Sequence, residues 1–138
     1  MRLSPFALAI VPVLAAAPAW AVQDQPVTIG GIQSVCTGVG SAKDNPDWNG
    51  YPVKLVFANS AGEDLADVHV AVNQGGKTVM ETDCDAPWLL VKAPAGTYGV
   101  SASINGAPGR NATAKFSGGG GAQKTITLTF PKRTASAQ

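Results

Sequence analysis

The chain has 138 residues, only 14% of them charged, with 16 glycines and 10 prolines; that is enough for one domain and too short for two. Ten basic residues nearly cancel nine acidic ones, which leaves no basic footprint for nucleic acid and no acidic tail. A single histidine excludes most His-dependent catalysis and any site built from several imidazoles.

The first segment reads as an address rather than as structure. Arg2 supplies a positive start, residues 6–14 form a short apolar core, and Ala19, Trp20 and Ala21 fit the small-x-small cleavage pattern, which predicts a signal peptide over 1–21. Pro12 and Pro18 interrupt the apolar run, so a membrane anchor is the weaker reading. Cys36 stands fifteen positions beyond Ala21, which argues against a bacterial lipoprotein. Removing 21 residues from 138 leaves 117, and loss of Arg2 balances nine bases against nine acids. The expected mature protein is periplasmic or secreted, neutral, and without a membrane span.

Cys36 and Cys84 are the two cysteines. In an oxidising compartment an even count reads as a disulfide, the alternative being two separate buried thiols. Their separation of 48 residues is too long for a redox Cys-x-x-Cys motif, so the bridge is expected to be structural.

No segment sustains a helical period. Alternation recurs instead, in short runs separated by turn chemistry. Val27 and Ile29 open the first run, which continues through Ile32 and Val35 to Cys36. Val53, Leu55 and Phe57 alternate with Lys54 and Val56, and Val68, Val70 and Val72 with His69 and Ala71. The run over 77–84 puts Met80, Thr82 and Cys84 on one face. Residues 88–92 are apolar on both faces. Tyr98, Val100, Ala102 and Ile104 oppose Ser101 and Ser103, and the runs over 110–116 and 124–130 complete the set. Seven or eight short strands with turns about every ten residues predict an all-β, antiparallel-rich β-sandwich over 22–131. Residues 132–138 read as a disordered polar tail. Residues 38–51 and the glycines 118–121 read as loops.

Pro94, Gly96, Tyr98 and Val100 resemble the P-x-G-x-Y-x-V hairpin of carboxypeptidase-regulatory-like domains, which are transthyretin-like (prealbumin-like) sandwiches. Asp85 to Trp88, the strand after it and the closing run over 125–130 fall where that family has strands. The stretches 33–40 and 82–88 resemble those of small exported proteobacterial proteins carrying this domain. The resemblance covers about 32–131 and implies a fold and a compartment, but no activity. It also implies a positive-φ turn at Gly96 and a core anchor at Tyr98 whose hydroxyl needs a partner. A transthyretin-like hydrolase of purine breakdown depends on several histidines and a Tyr-Arg-Gly-Ser terminus. This chain has His69 alone and ends at Gln138, so that chemistry does not carry over.

The remaining constellations are weak. His69 lies opposite the face of Val68 and Val70, toward solvent, and no Gly-x-Ser-x-Gly supplies a nucleophile elbow. A blue-copper set lacks its second histidine. The glycines 118–121 with Lys124 and Thr125 approach a phosphate loop, but Gln123 stands where glycine is required and a strand, not a helix, follows. Asp44, Asp47 and Asn49 could offer oxygens to calcium, joined in space by Asp67, Asp83 or Asp85, yet the spacing matches no calcium loop. Asn111 and Thr113 spell a glycosylation sequon, which has no meaning if the chain is bacterial, as the resemblance implies. Trp48 and Tyr51 either stand exposed beside Asp44, Asp47 and Asn49 as a sugar- or protein-binding patch, or fold back over the sandwich end to seal the core beside Cys36. The second reading is preferred, because a domain this small needs its large aromatics for burial. Trp88, flanked by Leu89 and Leu90, is expected in the core.

The sequence thus points to a non-enzymatic exported sandwich that binds or supports an envelope protein or glycan, without a cofactor or metal. The alternative is a small periplasmic enzyme or enzyme inhibitor acting through the 38–51 loop.

Overall fold

A computed structural model describes residues 23–107 and 109–131; the expected leader over 1–21 and tail over 132–138 lie outside them. Nine strands follow in order: β1 (Val27–Ile29), β2 (Ile32–Thr37), β3 (Val53–Asn59), β4 (Val68–Gln74), β5 (Lys77–Cys84), β6 (Trp88–Lys92), β7 (Gly96–Ile104), β8 (Asn111–Gly118) and β9 (Lys124–Phe130). The count exceeds the expected seven or eight because the first apolar run is two strands. Gly30 and Gly31, at φ +58° and +80°, fold it into a β1–β2 hairpin. A β-carbon at Gly30 would overlap the carbonyl oxygen of Val79, so this turn requires glycine.

The strands form two sheets, ordered β1-β2-β6-β3-β9 and β5-β4-β7-β8. Every pairing is antiparallel except β3 with β9. One hydrophobic cluster lies between the sheets. Leu55, Phe57, Leu89 and Leu128 enter it from the first sheet, and Val68, Val70, Val72, Tyr98 and Phe116 from the second. Alternation dictates this arrangement, since successive side chains point to opposite faces. Strand β6 is the exception, and its position explains it. As the middle strand of five, it sends Leu89 and Val91 into the core and Leu90 into a second cluster on the outer face.

Two crossings between the sheets carry local fixings. The first is the three-residue step from β5 to β6. Beside it the Cys36–Cys84 disulfide joins the two sheets, with the Cα atoms 5.5 Å apart. Facing sheets ordinarily lie about 10 Å apart, so the bridge sits at a corner where they converge. The second is the β6–β7 turn. Gly96 takes φ +145°, and the Tyr98 hydroxyl donates to the carbonyl of Pro94 at 2.9 Å. The Tyr98 ring stacks on Phe116, with centroids 5.0 Å apart and planes at 15°. The expected roles of Gly96 and Tyr98 are thus met: one permits the turn, the other anchors it.

Two inward-facing hydroxyls, Ser34 and Thr82, are buried without a hydrogen-bond partner among the described residues. A buried polar group left unpaired costs about 1–3 kcal/mol. Thr82→Val keeps the shape and removes the hydroxyl, so we expect it to raise stability by roughly 1 kcal/mol. Denaturant unfolding of the variant checks this; a loss of stability would mean that Thr82 has a partner in solution.

Candidate functional site

The 38–51 segment is neither an open loop nor an exposed aromatic patch. It forms two short 3-10 turns, over Gly40–Asp44 and Pro46–Gly50. Asn45 ties them together, its side-chain oxygen accepting from the Asp47 backbone N–H at 2.9 Å. Pro46 opens the second turn with a φ already suited to it. Trp48 and Tyr51 are 6% and 7% exposed. They meet edge to face at 6.2 Å and pack with Val35 and Leu90.

Trp48 does fold back, though onto the outer face of the five-stranded sheet rather than over the sandwich end beside Cys36. The pleat explains the difference: Val35 and Leu90 pair across β2 and β6 and point away from the core, so that face needs its own cover. The Trp48 indole N–H donates to the Ala42 carbonyl at 2.8 Å. The Gln123 amide reaches across from the start of β9 to the carbonyls of Trp48 and Tyr51, at 2.8 and 3.0 Å. Burial, aided by the charge of Asp47, raises the Tyr51 phenol above its ordinary 10.0, keeping it neutral. Asp44, Asp47 and Asn49 remain exposed on the outside of this clamped segment.

Trp88 departs from expectation. It is half-buried, on the outer face beside this segment, because it alternates with the core residue Leu89. The Lys54 ammonium sits 3.5 Å from the centroid of its ring, a cation–π contact. A β-carbon at Gly38 would stand 2.7 Å from the ring, so glycine there lets the chain leave β2 across the indole.

The other outer face, that of the four-stranded sheet, holds what the sequence did not show. Register aligns Asp83 of β5 with His69 of β4, His69 with Ser103 of β7, and Ser103 with Asn111 of β8. In spelling this row contains a Ser, a His and an Asp, but its geometry is not that of a catalytic triad. His69 Nδ1 lies 2.9 Å from Asp83 and Nε2 3.1 Å from Glu81, so both ring nitrogens are held by carboxylates. A general base for Ser103 needs a free ring nitrogen facing the hydroxyl. Asn105 continues the network, its amide donating to Asp67 and Asp83 at 3.0 and 3.2 Å.

Partial burial by itself lowers the His69 pKa, but the hydrogen bonds and charges of Asp83 and Glu81 outweigh it and raise the pKa above 6.5. The sign of the linkage follows. A pKa raised by folding contributes stability that is complete below about 6.5 and fades as pH climbs through the folded value. The imidazole side chain is 36% exposed, so screening limits the contribution to about 0.5 kcal/mol. We therefore expect stability to decline slightly from pH 6 upward in the wild type but not in His69→Gln, beside an imidazole that titrates above 6.5 by NMR. A titration at or below 6.5 would mean that the carboxylates do not hold it.

Next to His69 an open trough of about 350 Å³ runs over Ala71, Ser101, Ser103, Asn111 and Thr113. Its floor is shallow because these side chains are small, and apart from His69 at its wall its polar groups are neutral. Of the aspartates expected as extra calcium ligands, Asp67 and Asp83 belong to this face, whereas Asp44 and Asp47 lie on the 38–51 segment that covers the opposite one. Among the described residues no three His, Cys, Asp or Glu side chains are grouped to hold a metal ion, and no helix is long and apolar enough to cross a membrane. No protein-family model matches the chain, and no curated protein matches it in sequence.

Proposed function

We propose that the protein is a non-enzymatic exported β-sandwich that binds a glycan of the bacterial envelope through the outer face of its four-stranded sheet. The observation that carries this reading is the trough beside His69. Hydroxyls of Ser101, Ser103 and Thr113 and the amide of Asn111 line it, offering paired donors and acceptors to a ligand rich in hydroxyl groups. The imidazole at its wall is occupied by two carboxylates, which suits recognition rather than proton transfer. Export, to the periplasm or the medium, is supported by the leader-like residues 1–21 and the intersheet disulfide, since such bridges persist in oxidising compartments. The Tyr98–Pro94 hydrogen bond is consistent with the carboxypeptidase-regulatory-like, transthyretin-like resemblance.

The test is an amide NMR titration of the oxidised protein with peptidoglycan fragments and neutral oligosaccharides. Shifts at Ala71, Ser101, Ser103 and Thr113 are expected, and Ser101→Phe, at an exposed strand position that accepts an aromatic ring, should abolish them. Silence toward every glycan, with crosslinking to an envelope protein through the same face, would transfer the site to a protein partner. Shifts confined to Asp44, Asp47 and Asn49 would favour the alternative, a small enzyme or inhibitor acting through 38–51.

A further inference from the structure

A separate cleft lies where the chain crosses from β8 to β9. Strands β8 and β9 are edge strands of different sheets, joined by residues 119–123. Gly119, Gly120 and Gly121 take φ +110°, +98° and +110°, a conformation that residues bearing a β-carbon rarely adopt. This crossing therefore brings bare backbone, and no side chain fills the seam beneath it. A cleft of about 310 Å³ results, floored by Pro52, Val53 and Phe116, all buried.

Charge distinguishes this cleft from an ordinary packing gap. Lys115 and Lys124 line it together with the hydroxyl residues Thr97 and Ser117, and no carboxylate does. Lys124 occupies an alternation position shared with Leu128 and Phe130, which point into the core. Among the described residues neither lysine is ion-paired, and the backbone N–H groups of Gly120 and Ala122 have no carbonyl partner. Lys124 lies on the core-side alternation of β9, whereas Lys115 alternates with buried Phe116 and stands on the outer rim of edge strand β8. Two exposed lysines without a carboxylate leave this mixed polar and apolar lining net positive.

We propose that this cleft binds a small organic anion: a compact apolar body seated on Phe116, Val53 and Pro52, with its carboxylate or phosphate held by Lys115 and Lys124. The volume is at the low end for ligand pockets and suits about one ring with its charged group. Ammonium donors reach such an anion through charge-assisted hydrogen bonds, with the Thr97 and Ser117 hydroxyls and the Gly120 N–H as neutral donors. The resemblance of 118–125 to a phosphate loop plays no part, because β9 rather than a helix follows the glycines.

The test titrates the oxidised protein with phenyl phosphate, benzoate, inorganic phosphate and benzyl alcohol, read by amide NMR at Val53, Gly120, Ala122 and Lys124. Phenyl phosphate or benzoate should shift these amides, inorganic phosphate should bind about tenfold more weakly, and benzyl alcohol should not bind measurably. Lys115→Gln with Lys124→Gln should weaken the organic anions by at least about tenfold at unchanged melting temperature. Ala122→Phe, which fills the cleft and leaves both charges, should block them independently. No shift from either organic anion, equal binding of benzyl alcohol, equal binding of inorganic phosphate, or indifference to both variants would overturn the proposal. The readout amides lie outside the Ala71–Ser101–Thr113 trough, so either site can fail without the other.

Discussion

Replacing Cys36 and Cys84 together by Ala is expected to lower the melting temperature by on the order of 15 °C or more. The bridge closes a separation of 48 residues, for which the chain-entropy treatment gives an upper value of about 4 kcal/mol, against a total of roughly 5–15 kcal/mol for a domain. Its position adds a native-state reason. It joins β2 of one sheet to β5 of the other beside the three-residue crossing into β6, where the sheets converge, and both cysteines are fully buried. Thermal melts of the variant, and of the wild type with and without reductant, check the effect. A loss below about 1 kcal/mol would show that packing at this corner holds the sheets without the covalent link.

Trp48→Ala is the second large change. Truncating a buried aromatic costs about 3–5 kcal/mol in a well-packed core; in a cluster of four residues on a segment able to lift away, about 3 kcal/mol is expected. The variant loses the cover over Val35 and Leu90 and the hydrogen bond to Ala42. Asp44→Ala, Asp47→Ala and Asn49→Ala, all at exposed positions, should each stay within about 0.5 kcal/mol of the wild type. Hydrogen exchange separates two forms of the Trp48 effect. Global unfolding at lower denaturant would show that the 38–51 segment is part of the cooperative fold. Lost protection of residues 40–50 alone would show that it docks as a separate unit.

These two sites differ in how well they could be read in advance. The disulfide followed from two cysteines and a leader-like first segment. Trp48 was legible as a burying residue, but its destination was not, because periodicity tells which residues share a face and not what lies over that face. The same limit explains Trp88. Its apolar neighbours suggested the core, yet the pleat turns it outward, under Lys54 and against Gly38. His69 is the clearest case. Alternation alone placed it on the solvent side, and it is there, but its clamp depends on pairings between residues 12 and 14 positions apart. Glu81 and Asp83 could have been noticed as outward-facing members of their run, and Gly75-Gly76 marks the β4–β5 hairpin. What no local signal shows is the register shift at Val72/Asn73 that sets Asp83 opposite His69. The cleft at the end of the seam was hidden more deeply, since it is made of an absence of side chains between strands of different sheets.

By itself, then, the sequence determined the all-β class, the faces of nearly every strand and the disulfide, while the turn at Gly96 and the anchor at Tyr98 were what the family resemblance implied. The first three rest on local rules: the two-residue pleat, the turn residues between runs, the oxidation state of paired thiols. Only the tertiary structure decided the strand order, the single parallel pair between β3 and β9, the outward docking of Trp48 and Tyr51, the carboxylate clamp on His69 and the basic cleft under Gly119–Gly121. Apart from the His69 clamp, which turns on a bulge in the β4–β5 hairpin, those features depend on which distant segments meet, and that is set by the joint burial of both sheet faces, a sum over the whole chain that no short stretch of residues contains.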